Sequence, residues 1–353
     1  MWSGMRRKIA IFIVVAPCLL VAADVAVWQI AVRRLETGFQ TWIGDRNRHG
    51  WSVLSSSQVR GGWPLAATLT ITDLVIKGGE PTIPGGASWD AKQVVLRVGL
   101  LQPWSLDIEP IGVQRLRFAN GTEFPFVAEE MHATVPLQAG NATSALDLKA
   151  RNLRAVLLTD GDPDVAVSMG QLHGHADISP AAIGDSPTIG FSVSAGAIVL
   201  PNAVRWPLGP FVTSVVLEGS LEGPTPEPAA PSTFLAAWRD GGGSLEVQKF
   251  SIVWGPLDLT TTATLALDDQ LQPMGAGTGR MVGYEATLDA LAANGVLTRS
   301  ATTAAKAVLS LMASAPAAGD AAEVEVPLTL QHRTLSMRQV PLIRLPELDW
   351  PSP

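Results

Sequence analysis

The residues whose types and spacing come nearest to a metal site are His173, His175 and Asp177, in the run Leu-His-Gly-His-Ala-Asp. On a strand, side chains two apart share a face, so two imidazoles and a carboxylate would point the same way, as a zinc ion requires. The same alternation describes an ordinary amphipathic strand with Leu172, Gly174, Ala176 and Ile178 on its other face. That plainer reading is preferred, and no metal or other cofactor is expected. Asp160-x-Asp162-x-Asp164 opens like a calcium loop, but Val165 stands where the loop needs glycine and Gln171 where it needs glutamate. It reads as a solvated turn. Gly275-x-Gly277-x-Gly279 lacks the spacing of a dinucleotide fingerprint and reads as a loop. No serine sits in a nucleophile-elbow pattern, and His49, His132 and His332 are scattered. Without a convergent set of titratable groups no catalytic residue is assigned, and the chain reads as a non-enzyme.

The composition says what must position such residues instead. Hydrophobic residues make up 47% of the 353 and charged residues only 16%, with a net charge of −7. That balance excludes nucleic acid as a partner, since phosphate binding needs clustered Lys and Arg. Abundant Gly, Pro, Ala, Thr and Val, with a single Tyr, suit many short strands separated by turns. The one cysteine, Cys18, can form neither an internal disulfide nor a thiolate metal cluster.

At the N-terminus Arg6-Arg7-Lys8 precedes Ile9–Val32, apolar apart from Asp24 and Gln29. A helix needs about 20 residues to cross a hydrocarbon core of about 30 Å, so the segment reads as a retained transmembrane anchor. Asp24 is its weak point, because a carboxylate at mid-bilayer costs on the order of 2.5–3.5 kcal/mol. The competing reading is a signal peptide cleaved after Ala23. Either places the body outside the cytoplasm. Leu35, Phe39, Trp42 and Ile43 then fall at helical spacing, which continues the helix to a glycine cap at Gly50.

From Trp51 the pattern becomes short alternating runs. The clearest is Ser244–Asp268, two strands joined by Trp254-Gly-Pro. Its odd positions from Leu257 to Leu267 are apolar except Thr261, and its even positions are mostly Thr and Asp. Trp63-Pro64-Leu65 and Trp206-Pro207-Leu208 open further runs of the same form, with Pro where a strand begins and Trp covering the end of a sheet. The expected organisation is an anchor and juxtamembrane helix over 1–50, a β-rich region over 51–221, and a Pro-rich linker over 222–231. A second β-rich region follows over 232–353, with short helices near 233–239, 285–293 and 302–315. The fold class is mainly β: a large curved antiparallel sheet, half-pipe or partly closed barrel.

Such a sheet must bury its apolar face. A closed barrel does so on itself, whereas an open half-pipe leaves a groove that a helix or an acyl chain fills. The positions expected on that face are Leu69, Ile71, Val215, Leu217, Leu257, Leu259, Leu265 and Leu267.

Laid out in full, the chain resembles an uncharacterised Gram-negative envelope family, domain of unknown function 2125. The resemblance is carried by the N-terminal span running into a helix that ends Gly50-Trp51, and by Gly61-Gly62-Trp63-Pro64. It is carried too by Phe234–Glu246 leading into Trp254-Gly-Pro-Leu-Asp258, and by Val326-Pro-Leu-Thr-Leu with Leu345-Pro-Glu-Leu-Asp-Trp350. It implies a single-pass inner-membrane protein with its body in the periplasm, and supplies no activity to carry over. The layout is also similar to the AsmA and TamB style of envelope protein. The expected function is non-catalytic: a groove for lipid or a role in envelope assembly. The alternative is a purely structural or protein-interaction module with a self-filled core, and an envelope enzyme ranks below both.

Overall fold

The computed structural model describes residues 2–78, 86–118, 122–137, 144–157, 165–179, 188–201, 205–224, 231–314, 323–337, 340–348 and 350, with residues 2–18 and the ends of some strands as backbone alone. The Asp160–Asp164 turn lies outside them.

Helix α1 runs Trp2–Arg48, and Gly50 follows at φ 78°, the left-handed geometry expected of a glycine beyond a helix end. Among the described residues no helix is long and apolar enough to cross a membrane. An 18-residue stretch starting at Leu19 takes in Asp24, Arg33, Arg34 and Glu36, while Ile9–Cys18 is described as backbone alone. The structure therefore does not show the expected span.

Among the described residues the strands form one antiparallel sheet of 18, with three further helices inserted along the chain. Strands β1 (Trp51–Leu54) and β2 (Ser57–Gly61) lie end to end along β3 (Ala66–Gly78). Between them Asp73 adopts φ 49° and accepts a hydrogen bond from Ser56 Oγ at 3.0 Å. The apolar parity of β3 flips there while its register with β4 runs on unshifted, Thr72 opposite Gln93 and Leu74 opposite Ala91. Strands β4 (Ala87–Gly99) and β5 (Gln102–Phe118) follow. The sequence suggests two strands over 106–118; the structure has one, because Gly112 at φ 84° absorbs the irregularity as a bulge.

Strands β6 (Glu123–Val127) and β7 (Glu130–Pro136) lie between β5 and β8 (Ser144–Leu157). Then come β9 (Val165–Ser179), β10 (Thr188–Val199), β11 (Phe211–Glu222), helix α2 (Pro231–Asp240), β12 (Ser244–Trp254) and β13 (Leu257–Leu267). Strands β11 and β12 pair from Glu222–Ser244 to Val212–Trp254, so the sheet continues unbroken across 222–243. Strand β14 (Pro273–Val282) corrects one expectation. The glycines 275, 277 and 279 are strand residues, not a loop, and the close approach of β13 requires the first two: a Cβ would lie 2.1 Å from the carbonyl oxygen of Thr264 at Gly275 and 2.3 Å from that of Thr262 at Gly277.

Helices α3 (Tyr284–Ala293) and α4 (Arg299–Met312) precede β15 (Ala313–Ser314), β16 (Glu323–Gln331), β17 (Thr334–Met337) and β18 (Val340–Arg344). The Thr298 hydroxyl caps α4 by accepting from the amide of Ala301. The Pro-rich tail expected from Leu342 begins inside β18. Among the described residues the pairings run in one line from β1 and β2 to β18, and none closes it into a barrel.

Two cores hold the ends of this line. Near the first edge Leu69, Ile71, Leu74, Val94 and Leu96 pack with Phe39 from α1. Toward the other edge Val324 and Val326 pack under Tyr284 of α3 and Leu309 of α4. Burying one such aliphatic side chain contributes roughly 1.5–3 kcal/mol, so each helix clamps the sheet where it lies.

Candidate functional site

Residues opposite one another in adjacent antiparallel strands share a face, so the register shows what each face carries. One row starts at Leu69 in the first core and passes through Leu96, Ile108, Ala133 and Leu148. It continues through Gly174 and Val193 to Leu217 and Phe250, then through Thr261 and Gly279 to Val326 in the second core. A parallel row joins Ala150, Leu172, Ala195, Val215, Ile252, Leu259 and Met281. A third joins Ile189, Leu221, Leu245 and Leu265. The apolar face is thus continuous from the helix at one end of the sheet to the helices at the other.

All eight expected groove positions lie on this face, in unlike surroundings. Leu69 and Ile71 are completely buried beneath α1. Val215, Leu217, Leu257, Leu259, Leu265 and Leu267 are half-buried. Sequence reasoning missed the middle of the face, where Leu146 and Val193 are exposed. Their signal was the same alternation in β8 and β10.

At the α1 end the face opens into a cavity of about 790 Å³, within the roughly 300–1,000 Å³ of small-molecule sites. From α1 it is lined by Val27, Ile30, Leu35 and Phe39, and from the sheet by Trp89, Val94 and Leu106. Arg34 is the one charged lining residue. Phe39 stacks on Trp42 with ring centroids 6.0 Å apart. The helix is held over the cavity by Trp28 Nε1, which donates to the Gly61 carbonyl at 3.0 Å, and by an ion pair between Glu36 and Arg60.

The other face is polar. Asp147, His175, Ser192, Glu218 and Lys249 form one of its rows. His175 Nδ1 is 2.8 Å from Asp147 and its Nε2 3.7 Å from Asp177, beside an open hollow of about 580 Å³ that Glu218 and Glu222 also line. Among the described residues no group of three or more His, Cys, Asp or Glu is arranged to hold a metal. Further along, Arg115 and Arg117 span Asp90 and Glu123 in a surface ion-pair network. An isolated exposed pair is worth about 0–1 kcal/mol, and here the four charges share partners around a half-buried Asp90. In the last turn of α1, the carboxyl of Asp45 is held below its ordinary value by hydrogen bonding to Arg48 first, and by Arg46 and His49 after it; desolvation opposes them.

The turn tryptophans divide. Trp206 and Trp254 meet edge to face at 6.1 Å, and their indole N–H groups donate to the carbonyls of Pro201 and Gly209. They lock the ends of β10–β12. Trp63 stands exposed elsewhere.

The class these features define is an open antiparallel sheet with one polar and one apolar face, the apolar one clamped by helices at both ends. Residues 28–346 match the family described as "Uncharacterized protein conserved in bacteria (DUF2125)". The chain belongs to that family. None of the curated proteins matches the chain. No solved structure matches it either.

Proposed function

We propose that this is a non-catalytic, membrane-anchored periplasmic protein of the inner membrane that holds lipid acyl chains along the apolar face of its sheet. The observation that carries the reading is the largely apolar register between the two helical clamps, with Leu146 and Val193 exposed in its middle and no described helix packed on them. Half-burial of Val215 and Leu217, on strands that no described helix packs against closely, supports a sheet curved into a trough, half-pipe fashion. Each methylene laid on such a face contributes about 0.8 kcal/mol, so a few buried carbons offset the exposure.

The anchor is α1. Leu19, Leu20, Val21 and Val25 are exposed on it, and an exposed apolar helix surface needs an apolar surrounding. The test is native mass spectrometry of the full chain extracted in mild detergent. The reading requires co-purified phospholipid that delipidation removes and added lipid restores; a chain that never carries lipid sinks it.

A second reading has one observation in its favour. Leu69 is filled core, not open groove, as a structural or protein-interaction module of the envelope would require. In that case polar substitution across the face unfolds the protein and does not merely empty it.

A further inference from the structure

The sheet has exposed large apolar side chains where they do nothing for its core. Leu65 and Trp63 sit in the turn before β3. Leu101, 85% exposed, and Trp104, 60% exposed, sit at the β4–β5 turn, and Leu137 just past β7. Hydrogen bonds tie these segments side by side: the amide of Leu100 donates to the Leu65 carbonyl at 3.0 Å and that of Leu137 to the Trp104 carbonyl at 2.7 Å. They form one rim of the sheet.

Helix α1 reaches the sheet at this same rim. Trp28 bonds to Gly61, Glu36 pairs with Arg60 and Gln40 bonds to Gln58, so the helix runs inward from the rim as its numbers rise. Its preceding residues therefore project past the rim; at about 1.5 Å per residue Leu19 lies roughly 13 Å beyond Trp28. The exposed Val25, Val27 and Ile30 continue the apolar surface of the rim onto the helix. Arg33 and Arg34 lie at its base, both exposed. Two tryptophans beside aliphatic residues, with arginines a turn away, are the composition of a membrane–water interface: the indoles settle at the headgroup level and the guanidiniums meet phosphate. Leu100, Pro103 and Leu137 also line the 790 Å³ cavity, so its mouth opens at this rim.

We infer that the rim formed by Trp63, Leu65, Leu101 and Trp104 is a membrane-docking surface seated in the interface of the phospholipid bilayer that α1 enters. The inference rests on the anchored part of the reading above. It adds a route: an acyl chain leaves the bilayer directly into the cavity under α1 without crossing water.

The test uses the full chain with Cys18→Ser and one added cysteine, Leu101→Cys or Trp104→Cys, carrying an environment-sensitive fluorophore. Leu65→Cys serves as a third rim position and Thr262→Cys, on the exposed polar face, as the control. The protein is reconstituted in vesicles of phosphatidylethanolamine and phosphatidylglycerol. Rim labels should show at least double the control's quenching by lipid-borne nitroxide and less quenching by aqueous iodide. Iodide quenching at the rim equal to the control overturns the inference. So does a rim shielded from both quenchers, which would mean a protein partner or second copy covers it. Failure of the chain to float with vesicles overturns the rim and the anchor together. A quenched rim in a protein that carries no lipid on its sheet leaves the docking surface standing and removes only the lipid-holding function.

Discussion

Replacing Val193 with aspartate separates a lipid-holding face from a self-filled core. Val193 is 42% exposed, in the middle of the row that joins Leu69 to Val326. Full burial of a valine is worth at least about 1.5 kcal/mol, so the buried part of this one contributes roughly 1 kcal/mol. Its flanks are Gly174 and Leu217, and no ionisable group shares its row between Leu69 and Val326. With more than a third of its surface in contact with solvent, the new carboxylate stays hydrated. The expected cost is therefore about 1–2 kcal/mol, a modest fall in the urea midpoint with unchanged slope. Lipid binding should suffer far more, since a charge laid under an acyl chain has no compensating partner. The assay pairs urea unfolding with lipid quantification by mass spectrometry on the same preparation. A folded variant with undiminished lipid, or a variant that no longer folds, refutes the reasoning.

Leu69→Ala, at a completely buried position, should cost about 2–5 kcal/mol in urea unfolding. Gly275→Ala should destabilise by about 1–3 kcal/mol, because its Cβ would meet the Thr264 carbonyl at 2.1 Å and β14 must shift; thermal unfolding reads the loss. Gln114 is buried with an Oε1 that finds no partner among the described residues, so Gln114→Met should be neutral or stabilising in the same measurement. The lowered pKa of Asp45 sets an acid-side dependence. Its contribution is fully present above the ordinary value of 3.8 and is lost as pH falls through the lower folded value. Asp45→Asn should flatten that part of the stability–pH curve, as read by circular dichroism.

The strand pattern was legible because its cause is local. Alternation in Leu257–Leu267 puts apolar side chains on one face whatever the neighbours are, and the turns at Trp206 and Trp254 mark where strands end. Helix α1 over Arg33–Arg48 and its stop at Gly50 were legible for the same reason. What pairing decides was not. Gly275, Gly277 and Gly279 have weak strand preference, and only the approach of β13 makes glycine necessary at the first two. The left-handed residue Asp73 and the bulge at Gly112 look like strand ends until the partner strand is seen to continue past them. The groove positions were read correctly as sharing a face, but that α1 lies over Leu69 and Ile71 while leaving Val215 and Leu217 uncovered is a long-range fact. No period in the sequence records it.

The most direct test of the account is photocrosslinking in living cells, with benzoylphenylalanine placed at Leu148, Val193 and Leu259 along the apolar face. The account predicts adducts whose added mass is that of a phospholipid at all three positions, and none at Thr262 on the opposite face. Adducts to the chain's own residues or to another protein, with no lipid at any of the three, would contradict it.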